Sequence, residues 1–269
     1  MSTEEALISQ FHADLAKASE LLRLVKLFRA FAGSDQGCAE WPEANALYEA
    51  APGVRTDLPV LSGSLLLYVC GRFEFFAREL VVLVADEMAA KAGSYSDLPA
   101  RVQKELRSRT LDVAANASRY NYKEEEVDAL LVTLGTNLAS KSAAAEVASD
   151  GSAPEEAHVG VLISPEILAI TTANLRPDVL AEIFRRVDVS ELWLELGKQA
   201  GLRTYLSERD ERECTAEAKR RLNALMEERN SIAHPTGSTR FPDPDQVLNS
   251  VEFLKVLSRV MVDVVKMSI

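Results

Sequence analysis

Apolar residues recur along most of this chain at spacings of three and four, the mark of helices that bury one face. Residues 5–32 place Leu7, Ile8, Phe11, Leu15, Leu21, Leu22, Val25 and Phe28 on one side and stop at Gly33. Gly, Pro and Asp punctuate residues 34–60 around a short helical piece, Glu43 to Ala50. Residues 61–91 are apolar nearly all round, which predicts a central helix. Further helices are predicted over Asp97–Ala117, Lys123–Leu138, Pro177–Arg186, Ser190–Leu206 and Ala216–Ala233. A last one opens with Asp243-Pro244, an N-cap and a first-turn proline, and carries Val247, Leu248, Val251, Leu254, Leu257, Met261, Val264 and Val265. Residues 139–157, rich in Ala, Ser, Gly and acids, read as a mobile loop, and only His158–Ile163 has the texture of a strand. The expectation is an all-α protein.

Composition narrows the function more than the fold. A chain of 269 residues with 47% hydrophobic and 26% charged residues can bury a full core as one domain, or as one with an insertion. The longest apolar run of the central helix, Leu65 to Cys70, is interrupted by Gly71, Arg72 and Glu74, so no membrane span is expected, and no secretion signal opens the chain. Cys38, Cys70 and Cys214 lie far apart, without a CxxC, which argues against a zinc site or a disulfide framework and favours the cytoplasm. No Gly-rich phosphate loop, HExxH or GxSxG is present, so neither a cofactor nor a metal is expected.

The net charge of −11 is unevenly spread. Residues 121–157 hold eight acids against Lys123 and Lys141, and the first sixty residues hold nine acids against five bases. Arg101, Lys104, Arg107 and Arg109 outweigh Glu105, and Lys219-Arg220-Arg221 precedes the segment of greatest interest. Such a balance predicts weak non-specific binding to nucleic acid, because counterion release needs many phosphate contacts. A selective or delivered substrate fits better than bulk RNA.

That segment is Glu228-Arg229-Asn230-Ser231-Ile232-Ala233-His234-Pro235. Arg229 falls on the apolar stripe of Leu222, Leu225, Met226, Ile232 and Ala233, where a guanidinium is costly unless an acid or a ligand anion receives it. Pro235 disfavours helix in the residue before it, so the helix should close around Ala233 and His234. A separation of five turns roughly 140° about a helix axis. Arg229 and His234 then meet one target only if the helix distorts or a second copy of the chain brings its own pair. A His at a helix C-terminus also has an ordinary role, as a partner of the helix dipole.

The run Arg229-Asn230-Ser231-Ile232-Ala233-His234 resembles the Arg-polar-x-x-x-His motif of the HEPN superfamily, whose members are all-helical and often metal-independent endoribonucleases. Leu61–Leu80 and Asn174–Phe184 look similar to its bacterial branch found near RNA-ligase and phosphatase genes. The resemblance implies a HEPN-like helical bundle with an extra N-terminal helix and a mid-chain insertion. On that reading residues 1–60 form the N-terminal helix and connecting segment, and 61–269 the helical domain with its loop at about 139–157.

It also implies cleavage of RNA by the neighbouring 2′-hydroxyl, leaving 2′,3′-cyclic phosphate and 5′-hydroxyl ends. His234 would move the proton, since an imidazole titrates near neutral pH. Arg229 would hold the charged phosphorus centre. Asn230 would orient the phosphate or the imidazole, or serve only as a helix-end cap. Glu74, on the small and apolar face of Leu67, Cys70, Gly71, Ala77 and Val81, is the further site residue, with Arg229 as one partner and Arg78, four residues on, as the other. His12 and His158 lack recognisable catalytic partners. The expected setting is a toxin, an antiviral-defence or an RNA-repair effector, a homodimer joined near Glu74, with RNA as substrate and an antitoxin or defence protein as a further partner. The alternative is a non-catalytic HEPN module that binds RNA or a protein.

Overall fold

Helix capping and apolar spacing account for the architecture. The structure, a computed structural model, describes residues 2–32, 42–55, 57–147, 161–171 and 174–268. Among them the helices are α1 (Thr3–Ala32), α2 (Pro42–Val54), α3 (Leu58–Lys91), α4 (Ala100–Ala115), α5 (Ala117–Tyr120), α6 (Glu124–Val147), α7 (Pro177–Arg186), α8 (Leu192–Lys198), α9 (Ala200–Leu206), α10 (Glu211–Ala233) and α11 (Pro244–Ser268). Two 3-10 turns, Tyr95–Asp97 and Pro165–Ala169, complete the set, and no strand occurs among the described residues. The protein is all-α, as its periodicity predicts.

The chain forms two compact units. The first is built from Glu5–Phe76 and Gly197–Val260, the second from Ala77–Leu196 and Met261–Ile269. In the first, Phe11 of α1 stacks on Phe76 of α3 with ring centroids 4.9 Å apart and lies 6.2 Å from Phe73. Leu15, Leu22, Leu66, Val69, Leu222, Met226, Val251 and Leu254 are fully buried around that centre. In the second, Arg186 is buried but satisfied: it donates to the Leu168 and Ile170 carbonyls at 2.9 and 2.7 Å and to Glu182 at 2.7 Å. A buried charge survives only with such pairing.

Three expectations need correction. The loop predicted from residue 139 is helical to Val147, because Ala143-Ala144-Ala145 is the best helix-forming sequence and propagates α6 without an apolar face. Lys141 supports that turn by donating to Gln103 Oε1 at 2.8 Å, while residues 148–160 lie outside the described residues. Val161–Ile163 is not a strand: Val161 N–H donates to the Ala89 carbonyl and Asn137 to the Leu162 carbonyl, in place of a ladder. The single helix predicted over 190–206 is two, broken at the extended Gln199. Gly197 explains the break, since a Cβ there would collide with the Thr215 side chain and the Glu211 carbonyl, so α10 crosses at that point. The central helix needs no such correction, although α3 is long and apolar enough by composition to cross a membrane. Its fully buried Leu66, Val69, Phe73, Phe76 and Leu80 make it the core helix of a folded chain.

Candidate functional site

α10 holds the motif at a fixed height. Its start is set by Asp210, whose carboxylate accepts from the backbone N–H groups of Arg212 and Glu213 at 2.8 and 3.0 Å. Cys214, Ala218, Leu222, Leu225, Met226 and Ile232 form its buried face. Its end comes where Pro235 requires: the His234 N–H donates to the Asn230 carbonyl at 3.0 Å, and His234 leaves the helix with φ −124° and ψ 69°. That last bond keeps the His234 Cα on the helical path, so the roughly 140° offset from Arg229 persists.

Arg229 is half-buried and donates from Nη1 to Asn230 Oδ1 at 3.3 Å. It makes no ion pair among the described residues. His234 is exposed, with no side-chain hydrogen bond to Arg229 among the described residues. Asn230 is thus the hinge of the triplet, receiving Arg229 through its side chain and His234 through its carbonyl.

Glu74 comes from α3, but takes neither of its expected partners. Its Oε1 is buried without a hydrogen bond, while Arg78 donates to the carbonyls of Ala169 and Thr171 at 3.2 and 3.4 Å. What Glu74 and Arg229 share is a neighbour. Burial pushes the Cys70 thiol up to about 12; Glu74 adds to the rise, Arg229 opposes it, and Glu228 adds to it again. All three charged groups thus act on one buried sulfur. A thiol at that value is inert at neutral pH, so Cys70 is packing and not a nucleophile.

His12 is accounted for structurally, since its Nε2 lies 3.0 Å from Ser258 Oγ and burial lowers its pKa. His158 and Cys38 lie outside the described residues. No cluster of metal-ligating side chains occurs among the described residues.

The chain matches the family model RiboL-PSP-HEPN over residues 43–267. It belongs to the RiboL-PSP-HEPN family. Membership ties it to a superfamily associated with RNA and with nuclease activity. No curated protein and no solved structure matches it. Within this RiboL-PSP-HEPN chain two features escaped sequence reasoning. Gly63 of α3 faces the motif exit: a Cβ there would lie 2.5 Å from Phe241 Cδ1 and 3.4 Å from Ile232 Cγ2. The Ser62-Gly63-Ser64 run of small residues was the available signal for that close approach. Glu228, next to Arg229, is half-buried, and burial raises its pKa. Nothing in its spacing distinguishes it from a solvated glutamate.

Proposed function

We propose that this chain is a metal-independent endoribonuclease acting through Arg229, Asn230 and His234. The observation that carries the reading is the motif's exit. An exposed His stands one residue past the end of α10, and a half-buried Arg without a carboxylate partner among the described residues stands one turn earlier. His234 takes the proton of the 2′-hydroxyl, and that oxygen attacks phosphorus. The bond to the 5′ oxygen breaks, and this oxygen takes up a proton. Arg229 holds the phosphate oxygens as charge builds, and its planar fork suits them. The 140° offset supports a cleft completed by a second copy, which brings its own Arg229 and His234. Glu74, whose Oε1 is buried without a hydrogen bond among the described residues, is the further site residue. We place the activity in the cytoplasm, in a toxin, defence or RNA-repair setting.

The offset also favours a second reading, a module that binds RNA or a protein without cutting. Incubation with total and transfer RNA in EDTA, followed by end-group analysis, separates the two. The nuclease reading expects 2′,3′-cyclic phosphate and 5′-hydroxyl ends, no cut beside a 2′-deoxy sugar, and a loss of roughly 10²- to 10⁴-fold in His234→Ala. RNA bound but left intact supports the module. A requirement for added Mg²⁺ overturns the roles given to Arg229 and His234.

A further inference from the structure

A groove of about 200 Å³ opens on the first unit where α10 faces α11, lined by Arg220, Arg221, Glu228, Asn249, Ser250 and Phe253. It has three chemically distinct parts. Its floor is apolar, with Phe253 only 3% exposed and the Tyr205 ring 6.4 Å from it. One end of its α10 wall carries two guanidinium groups, both braced by Glu217, which accepts from Arg220 Nε and Nη2 and from Arg221 Nε at 2.7 Å. Arg220 Nη1 makes no hydrogen bond among the described residues and is available to an anion. The other end of the same α10 wall, about two turns on, carries Glu228, which makes no ion pair or side-chain hydrogen bond among the described residues.

A half-buried carboxylate without donors is expensive, and burial duly raises its pKa. A ligand that brings N–H groups relieves it. The guanidinium end disfavours a cation as that ligand and favours one that is anionic elsewhere. A flat ligand lying along α10, with donors at one edge and phosphate at the other, meets both ends of that wall and lies on the floor. That description fits a nucleotide, and the donor edge selects among bases. Guanine presents N1–H and its 2-amino group side by side, matching two carboxylate oxygens. Adenine and cytosine offer one amino group beside an acceptor nitrogen, and uracil offers one N–H between two carbonyls. An acceptor-only carboxylate faces a clash of lone pairs with the last three.

We propose that the groove is a guanine-reading subsite, in which Glu228 accepts from the Watson–Crick edge, Asn249 meets the 6-oxo group and Arg220 and Arg221 hold a phosphate. The inference rests on the RNA-directed reading of this chain and deepens it. Glu228 and Arg229 are consecutive on α10, so the base subsite and the proposed phosphate clamp share one helical turn. Base selectivity of this kind also reconciles the −11 net charge with RNA as substrate, since affinity then depends on a specific pocket and not on a broad basic surface.

The experiment is equilibrium binding of 5′-GMP, IMP, AMP and CMP to the full chain by calorimetry, for the parent and for Glu228→Gln, run beside cleavage of an oligoribonucleotide holding all four bases. GMP should bind about 10- to 100-fold more tightly than AMP, the size of a good bidentate base contact. IMP, without the 2-amino group, should fall between them. Glu228→Gln should erase the preference. If that variant does not fold, the exposed Asn249→Ala should weaken GMP and leave AMP unchanged. Equal binding of GMP and AMP, no measurable GMP binding, or a preference that survives Glu228→Gln overturns the subsite. A GMP preference without cleavage leaves the subsite standing and sinks the nuclease. Cleavage without base preference does the reverse.

Discussion

Arg229 shows how a single side chain can be costly to the fold and still kept. It is half-buried beside Leu225, Met226 and Ile232, and only Asn230 accepts from it within the described residues. Arg229→Ala should therefore leave stability unchanged or raised in urea unfolding while removing cleavage, because no buried ion pair is broken. A loss of about 3 kcal/mol or more, the size of a broken buried pair, would show the residue to be structural. Arg229→Lys should not restore cleavage, since a point charge does not reproduce a bidentate fork. Gly63 works in the opposite sense. Its Cβ would need the space that Phe241 fills, so Gly63→Ala should cost about 1–3 kcal/mol and weaken activity by shifting the segment after His234. Unchanged unfolding and activity would show that Phe241 yields freely.

At the scale of the element, apolar spacing and punctuation made most of the helices legible. Pro177–Arg186 is helical over the predicted span, and Asp243-Pro244 opens α11 with Asp243 N–H donating to Gln246 and Asp245 N–H donating to Asp243. The motif's position at a helix exit was legible for the same reason, since Pro235 acts locally. What was not legible depends on neighbours far along the chain. The Gln199 break needs α10 to press on Gly197, and the fate of Glu74 needs to know that Arg78 is occupied elsewhere. Spacing also misplaced Leu21, which it put on the buried face of α1 but which is 50% exposed.

The surface of α3 bears on assembly. Leu61, Tyr68 and Phe75 are seven apart and 51%, 40% and 45% exposed, a seam of the kind that helices pair along. A homodimer through α3 is expected, with light scattering giving twice the chain mass at micromolar concentration. Tyr68→Glu should shift it to monomer and reduce cleavage. Dissociation by Leu24→Glu instead would move the interface to the exposed Leu21, Leu24 and Leu27 of α1.

For the molecule as a whole, the carboxylates set the response to acid. Hydrogen bonds from Arg220 and Arg221 hold Glu217 down at about 2, Arg186 lowers Glu182, and Arg29 lowers Asp243. Each stabilises the fold above the ordinary carboxylate range and is lost as pH falls through its lowered value. Burial raises Glu228 and Asp86, so their protonation favours the fold and partly offsets that loss. Thermal midpoints measured from about pH 5 down to pH 2 should therefore decline, with Glu217→Gln flattening the curve. A midpoint independent of pH over that range would mean these pairs are equally formed in the unfolded chain.

Cys70 offers a clock for the motif itself. Its sulfur is fully buried on α3 and burial holds the thiol protonated at neutral pH, so an alkylating reagent can reach it only when the packing around it opens. The labelling rate at that one atom measures how often the core around α3 opens, and substrate that braces the motif should slow it.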